Sequence, residues 1–298
     1  MFARAFLALA VFVATAFAAE THEIRLLRPL KAGDRFDVAA KIAYEDGVKT
    51  SVDGREVESD ETAAACRLSG SLTVVSVTTK GLPKEIRLKL KAVECVLDGR
   101  TAEFFQNGDD LLLRRDEPEN VALVNGEPAD DVQSQVLESL LSVQAENEVT
   151  DEDIFGTTEK VAVGAEWPVN AKAMVQALSQ NGVTGLKPEG IKGQAKLVRV
   201  GEFESQAALS LKMAAQIEGK AVQLASLPEN VKGRRFHSEY AIEMDVPVDP
   251  TSTAGHIKGM VKMEIDASGT GEFDGKEVEI AVKIERRVAS ELTATPAK

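Results

Sequence analysis

Long runs of alternating apolar and polar residues are the feature of this sequence that most restricts its fold. Alternation with a period of two places apolar side chains on one face of a strand and polar side chains on the other. The runs at 36–44, 203–217, 236–246, 257–265 and 278–284 all follow this pattern. Because many of their polar positions are charged, one face should meet water, as in an antiparallel sheet that is covered on one side only.

The length of these runs predicts a curved sheet. The run 203–217 would span roughly 50 Å at about 3.3 Å per residue, and strands of that length must twist and coil. We therefore predict a mainly β (α+β) fold, a long, curved antiparallel sheet or half-barrel with a few helices over its concave apolar face. The apolar side would line a ligand cavity, and its candidate lining residues are Phe36, Tyr44, Leu209, Leu211, Met213, Tyr240, Ile242, Met244, Val261 and Met263.

Helical periodicity is confined to the middle of the chain. Residues 129–145 carry apolar side chains at i, i+4 spacing, which is typical of an amphipathic helix. Thr150 and Asp153 predict a capping box at the start of a second, short helix, and a third helix fits 171–180 with Asn170 as its cap. We expect these helices to lie over the apolar face of the sheet.

The two cysteines, Cys66 and Cys95, predict a disulfide, because an even cysteine count in an exported chain favours pairing. The loop Thr79-Lys80-Gly81 suits a three-residue hairpin turn. One bulge near Ala92-Val93 would then bring the cysteines directly opposite each other on adjacent strands. Two free buried thiols are the alternative. A redox-active pair would need Cys-x-x-Cys spacing, which the chain lacks, so we interpret the bridge as structural.

The first 18 residues are typical of a Sec-type signal peptide. Arg4 supplies the positive charge, residues 6–13 are apolar, and Ala16-Phe17-Ala18 fits the small-x-small cleavage rule. The apolar run is shorter than the roughly 20 residues that span a bilayer; a membrane anchor or a buried helix is the alternative. We therefore expect an exported chain, periplasmic or extracellular, with no transmembrane segment in its mature part.

Cleavage after Ala18 would leave 280 of the 298 residues, enough for a large core. We expect a single β-rich domain over 19–292, which could divide into sub-halves 19–148 and 149–292, followed by a disordered tail at 293–298. Loss of Arg4 would change the formal net charge from −13 to −14, and this charge disfavours nucleic acid as a partner. The low aromatic content of 5% disfavours a sugar-binding lectin.

No residue pattern in the chain predicts catalysis, a metal site or a cofactor. The motifs of zinc proteases, serine hydrolases and P-loop proteins are absent from the sequence. His237 and His256 fall on the charged face, where solvated histidines are the main interpretation and a loose zinc or copper site is the alternative. Asp151-Glu152-Asp153 suits a helix N-terminus better than a calcium loop. We expect the lone Trp167 to serve packing, and an anchor for a ligand is the alternative.

Two segments resemble parts of uncharacterised secreted β-rich proteins of environmental bacteria. They are Leu30-Lys31-Ala32-Gly33-Asp34-Arg35-Phe36, with its lysine-x-glycine-aspartate strand opener, and Val161-Ala162-Val163-Gly164-Ala165-Glu166-Trp167, which follows a short helix. Such proteins look like the periplasmic lipoprotein-carrier fold, an open half-barrel that is closed by helices. The resemblance implies binding of an acyl chain or a hydrophobic partner, and it transfers no site residues.

From these observations we predict an exported binding or carrier protein of the periplasm or cell envelope, which holds a hydrophobic small molecule or a partner segment. We expect it not to be an enzyme and to need no cofactor. A non-enzymatic envelope scaffold, whose edge strands or acidic face meet an envelope protein, is the alternative. A secreted hydrolase or metalloenzyme is the function that the residues favour least.

Overall fold

The computed structural model describes residues 20–297 except 117–118, 226, 229 and 274–275. The predicted signal peptide lies outside the described residues. The described part is mostly β-structure, organised around one open antiparallel sheet of 13 strands with a few helices. The predicted fold class, a curved antiparallel sheet or half-barrel, is therefore confirmed.

The strands range from two-residue pairs to β3, which is 23 residues long. They are β1 (Thr21–His22), β2 (Arg35–Val52), β3 (Arg55–Val77), β4 (Pro83–Leu97), β5 (Arg100–Ala102), β6 (Asp110–Asp116), β7 (Glu119–Val124), β8 (Glu127–Pro128), β9 (Val161–Ala162), β10 (Glu166–Pro168), β11 (Val183–Thr184), β12 (Ile191–Phe203), β13 (Gln206–Gly219), β14 (Gln223–Leu224), β15 (Val231–Pro247), β16 (Gly255–Phe273) and β17 (Lys276–Pro296). The helices are α1 (Asp131–Leu140), α2 (Asp151–Phe155) and α3 (Ala171–Gln180), with a 3₁₀ turn at Pro188–Gly190.

The last strand of the chain lies in the middle of the main sheet. β17 pairs with β2, which joins the first and last parts of the chain. The strand order is β10-β12-β13-β15-β16-β17-β2-β3-β4-β6-β7-β8, and β5 pairs with β4. In the described part of the chain, β10 and β8 stand at opposite ends of this order and do not pair with each other, so the sheet stays open.

The strand predicted over 203–217 is instead divided between two strands. β12 ends at Phe203 and β13 begins two residues after Glu204, because Glu204 and Ser205 form a tight turn with φ values of 49° and 61°. Two successive residues with positive φ match the twist of a hairpin. Neither residue is glycine or asparagine, so the usual turn signal is missing from the sequence.

The predicted disordered tail is also part of a strand as far as Pro296. Residues 293–296 pair with β2, from Thr293 opposite Ala39 to Pro296 opposite Phe36. Beyond them, the amide of Ala297 donates to the Arg35 carbonyl at 2.9 Å. The tail is ordered because β2 supplies partners for its backbone groups, and the composition of the tail itself does not reveal that neighbour.

The disulfide between Cys66 and Cys95 is formed, as predicted. The two residues are direct register partners on β3 and β4. A bulge at Lys91 shifts the register by one residue, and Gly81 adopts the left-handed conformation (φ 78°) in the hairpin turn. The predicted bulge and turn thus bring the cysteines together.

One face of the main sheet, which we call the outer face, carries charged residues in register across the strands. Ion pairs on it include Lys212–Glu243 at 2.6 Å and Lys41–Glu291 at 2.9 Å. Exposed pairs of this kind contribute little to stability. One row across nine strands is formed by Glu166, Lys196, Lys212, Glu243, Lys258, Glu291, Lys41, Arg67 and Glu94.

The opposite, inner face is apolar and carries two large buried clusters. The first cluster lies under α1 and includes Phe36, Val38, Ile42, Leu68, Leu88, Leu113, Val136 and Leu137. The second cluster lies under α2 and α3 and includes Ile154, Phe155, Met174, Met213, Ile217, Phe236 and Ile265. The helices therefore lie over the apolar face, as the sequence predicts, and each covers one of its two clusters.

The helices begin at the predicted caps. Thr150 and Asp153 form a reciprocal capping box on α2, and the Asn170 side chain accepts from the Ala173 amide at 3.2 Å on α3. Helix α1 is shorter than the predicted 129–145, because Leu141 is already extended. Within the described part of the chain, no helix is both long and apolar enough to cross a membrane.

Candidate functional site: an apolar trough on the inner face

Two segments of the chain cross the inner face near one end of the long strands. The first, residues 23–34, starts where Ile24 packs with Leu209 and Leu211 in a small third cluster. It ends beside the β3–β4 turn, where the Leu30 amide donates to the Gly81 carbonyl at 2.8 Å. Because β13 and β3 lie on either side of β15, β16, β17 and β2, this segment must pass over those four strands.

The second crossing segment, residues 141–154, joins the two large clusters. Leu141 belongs to the first cluster and Ile154 to the second. The two segments are bonded to each other, because the Glu152 carboxylate accepts from the Leu26 and Leu27 amides, the latter at 2.9 Å. The acidic group Asp151-Glu152-Asp153 therefore serves a helix cap and this bond, in agreement with the structural interpretation of the sequence.

Between the two clusters, the inner face of β15, β16 and β17 is only half-buried. Val261 on β16 lies between Tyr240 and Val288, and it belongs to neither cluster. Beside it, a Cβ built on Gly259 would meet only one non-neighbouring described atom within 4 Å, the Ser290 hydroxyl at 3.6 Å. We call this surface the trough, and it is formed by Tyr240, Ile242, Met244, Ile257, Gly259, Val261, Met263, Arg286, Val288 and Ser290.

The trough is uncovered because the helices reach it from its two sides without meeting above it. Helix α1 packs on β2 and β17, whereas α3 packs on β12 and the 3₁₀ turn. Met263 and Ile242 pack against the second cluster, and Val288 packs against the first. Ile257 and Val261 on β16, which we call the floor of the trough, lie between the residues packed against the two clusters. They form a continuous apolar surface of the kind that marks binding sites.

An ion pair lies at the end of the trough that is remote from the two crossing segments. Arg286 donates to Asp46 from Nη2 to Oδ2 at 2.8 Å and from Nε to Oδ1 at 3.3 Å. The guanidinium carbon lies 5.8 Å from the centre of the Tyr44 ring, and Tyr44 Oη donates to Asp46 Oδ2 at 2.6 Å. Asp46 is 15% exposed and Arg286 is 40% exposed, so the cation faces solvent more than its partner does.

The surroundings of this group shift two acid–base equilibria. Burial, reinforced by the hydrogen bond to Asp46, raises the pKa of Tyr44 above its ordinary value. Burial alone would lower the pKa of Arg286, but its hydrogen bonds and charge attraction to Asp46 outweigh that effect and raise the pKa. Arg286 therefore carries a permanent positive charge beside the apolar floor.

The predicted cavity-lining residues occupy different places. The trough brings together Tyr240, Ile242, Met244, Val261 and Met263. Phe36 lies in the first cluster, Met213 in the second, and Leu209 and Leu211 in the third. Tyr44 is 3% exposed and lies under Arg286.

Sequence reasoning missed Arg286, Asp46 and Gly259. A signal for Arg286 exists, because residues 278, 280, 282 and 284 are apolar and point inward, and the next position in that phase is an arginine. A charged residue at an inward position breaks the alternation and so marks a site with a special role.

The two histidines that could have shared a metal are far apart. His237 pairs with Glu264, while His256 pairs with Asp245, eight residues further along β15. At about 3.3 Å per residue this separates them by roughly 26 Å. The part of the chain that the structure describes contains no group of three or more potential metal ligands. Trp167 donates from Nε1 to the Phe155 carbonyl at 2.7 Å and packs against the second cluster, which supports its packing role.

The fold and the trough define a β protein built on one large open sheet, with a charged outer face and an incompletely covered apolar inner face. No family model matches the chain, and no curated protein matches it.

Among solved structures, the outer membrane protein OprG from Pseudomonas aeruginosa is similar at a TM-score of 0.19, with 8% identity over 91% of this chain and 100% of that chain. An outer membrane channel from Pseudomonas putida F1 gives 0.19, with 11% identity over 91% and 99%. The Pseudomonas aeruginosa MucA/MucB complex gives 0.17, with 8% identity over 82% and 88%. Because these TM-scores are so low, nothing about this chain is concluded from them.

Proposed function

We propose that this protein is a non-enzymatic binding or carrier protein that holds the apolar chain of a small molecule or partner segment in the trough. The observation that carries the proposal is the uncovered floor at Ile257, Gly259 and Val261, which lies between two clusters of fully buried residues. An apolar ligand would continue the packing of both clusters and remove this surface from water, which is favourable in proportion to the area buried.

Export supports the same function. The disulfide between Cys66 and Cys95 is typical of a protein that folds in an oxidising compartment, and the leader at 1–18 would direct the chain there. N-terminal sequencing of the protein from a secreting host should begin at Ala19. A protein that retained Met1 after export would contradict this part of the proposal.

The affinity for a series of neutral n-alkanols tests the trough itself. Each methylene that moves from water into the trough contributes about 0.8 kcal/mol, so affinity should rise about fourfold per methylene from octanol to dodecanol. The affinity for each alkanol can be measured from its ability to displace a fluorescent apolar dye from the protein. Affinity that does not depend on chain length would contradict a continuous apolar floor.

Two glycine substitutions make a matched comparison. Gly259→Phe fills the trough, where a Cβ has only the Ser290 hydroxyl nearby, whereas Gly47→Phe places the same ring on the outer face, where the nearest atoms are at 3.9 Å. Both glycines lie inside strands, so the effect on strand propensity is similar. Alkanol binding should be lost in Gly259→Phe and kept in Gly47→Phe. Equal affinities in the two variants would place the binding site elsewhere.

A protein partner is the second candidate, and one observation favours it. Residues 55–62 of β3 pair with β2 on one side only in the described part of the chain, because the pairing with β4 begins at Ala64. Val57 on this edge is 51% exposed, and an unpaired edge can accept a strand from another protein. Crosslinking in an envelope extract should capture a partner that Val57→Lys loses and Val96→Lys keeps. A protein without a crosslinked partner would count against this candidate.

A further inference from the structure

One end of the trough differs chemically from the rest, because its apolar residues on β16 and β17 lead directly to the positively charged Arg286. In the row across the strands, Arg286 lies between Met263 and Asp46, and Val288 is the next inward residue on β17. A ligand that lay along β16 and β17, over Gly259 and Val261, would therefore reach the guanidinium with one end. The other end of the trough leads towards the segment 23–34 that crosses the face near the β3–β4 turn.

The hydrogen bonds of Arg286 leave donors for a ligand. A guanidinium has five N–H groups in a fixed plane, and Asp46 accepts from two of its nitrogens, Nε and Nη2. Asp46 Oδ2 also accepts from Tyr44, and the Tyr44 ring lies beneath the cation. Tyr44 and Asp46 thus hold the guanidinium in position, while its exposed part can bind an anion.

We propose that the trough selects single-chain amphiphiles with an anionic head group, and that Arg286 binds the head group. This inference rests on the proposed function and specifies its ligand class as a long-chain carboxylate. Arginine pairs with a carboxylate through parallel N–H···O bonds, which add to the apolar contacts of the chain. The protein as a whole is strongly negative and repels anions at long range, so the preference must come from this local contact.

The test compares dodecanoate with dodecanol, which share a twelve-carbon chain and differ in the charge of the head group. At pH 8, dodecanoate should displace a bound apolar dye at a concentration about tenfold lower than dodecanol. Arg286→Met should remove this difference, so that dodecanoate and dodecanol bind with about equal affinity. Arg287→Met is the matched control, because Arg287 is the next residue and is exposed on the outer face. Its register partners there are Glu45 on β2 and Lys262 on β16.

A second variant gives a result that misfolding cannot imitate. Asp46→Asn keeps an acceptor for Arg286 but removes the carboxylate that competes with the ligand for the guanidinium. This variant should therefore bind dodecanoate several-fold more tightly than the unmodified protein does. Its affinity for dodecanol should equal that of the unmodified protein. A gain of affinity for one ligand only cannot arise from loss of structure.

The outcomes separate the two proposals. If dodecanol and dodecanoate bind equally and Arg286→Met changes neither, the trough binds apolar chains but the head-group inference is wrong. If neither ligand binds to the unmodified protein, the proposed function itself fails. Tighter binding of dodecanoate that persists in Arg286→Met but is lost in Arg287→Met would move the anion site to the outer face and overturn the inference.

Discussion

Replacing Val74 by alanine should destabilise the protein much more than replacing Val57 by alanine, although both valines lie on β3. Val74 is 0% exposed and belongs to the first cluster, whereas Val57 is 51% exposed on the part of the strand that pairs with β2 alone. Removal of two buried carbons costs about 1.6 kcal/mol at ~0.8 kcal/mol per methylene. The cavity left behind raises the total to about 2–3 kcal/mol. At the exposed site we expect a loss below about 0.5 kcal/mol.

Urea unfolding followed by far-ultraviolet circular dichroism measures both free energies of unfolding. The two variants lose the same strand propensity, so the difference between them isolates burial. The slope of the free energy against urea should stay the same in both, since neither change alters the surface exposed on unfolding by much. If both variants lost the same free energy of unfolding, Val74 would not be more buried than Val57. That result would contradict the register and burial of β3.

Two further predictions concern the disulfide and the tyrosines. Replacing Cys66 and Cys95 together by serine should lower the free energy of unfolding by roughly 3–4 kcal/mol, because the bridge closes a loop of 29 residues; unchanged urea stability would contradict this. Burial raises the pKa of Tyr240 and of Tyr44, the only tyrosines of the chain. Their contribution to stability is therefore fully present below the ordinary tyrosine pKa of about 10 and is lost as the pH rises above it. Absorbance titration should place tyrosinate formation above pH 10 in the folded protein and near pH 10 in guanidinium; a folded-state transition at pH 10 would refute the burial.

The features that the sequence predicted well are those that depend on neighbouring residues. The pairing of Cys66 with Cys95 follows from alternation, one bulge and a glycine turn, all within 29 residues. The caps of α2 and α3 follow from the side chains at Thr150 and Asn170. Each of these features is a local preference that the surrounding structure does not override.

The features that were missed depend on distant partners. The pairing of β17 with β2 joins residues more than 200 positions apart, and it orders a tail whose composition resembles a flexible end. The turn at Glu204 and Ser205 lacks the usual turn residues and is imposed by the pairing of β12 with β13. Alternation identified the inward residues but could not show which are covered, because Leu211 and Val261 have the same pattern and only Leu211 lies beneath a crossing segment.

The most direct test of the account is to map where an apolar ligand touches the protein. A long-chain fatty acid with a photoreactive diazirine near its methyl end would be bound, irradiated and located by mass spectrometry of peptides. We predict labels on the inner residues of β15, β16 and β17, such as Ile257, Val261 and Met263. Labels confined to the outer face, at residues such as Met260, or to the edge at Val57, would contradict the trough as the binding site.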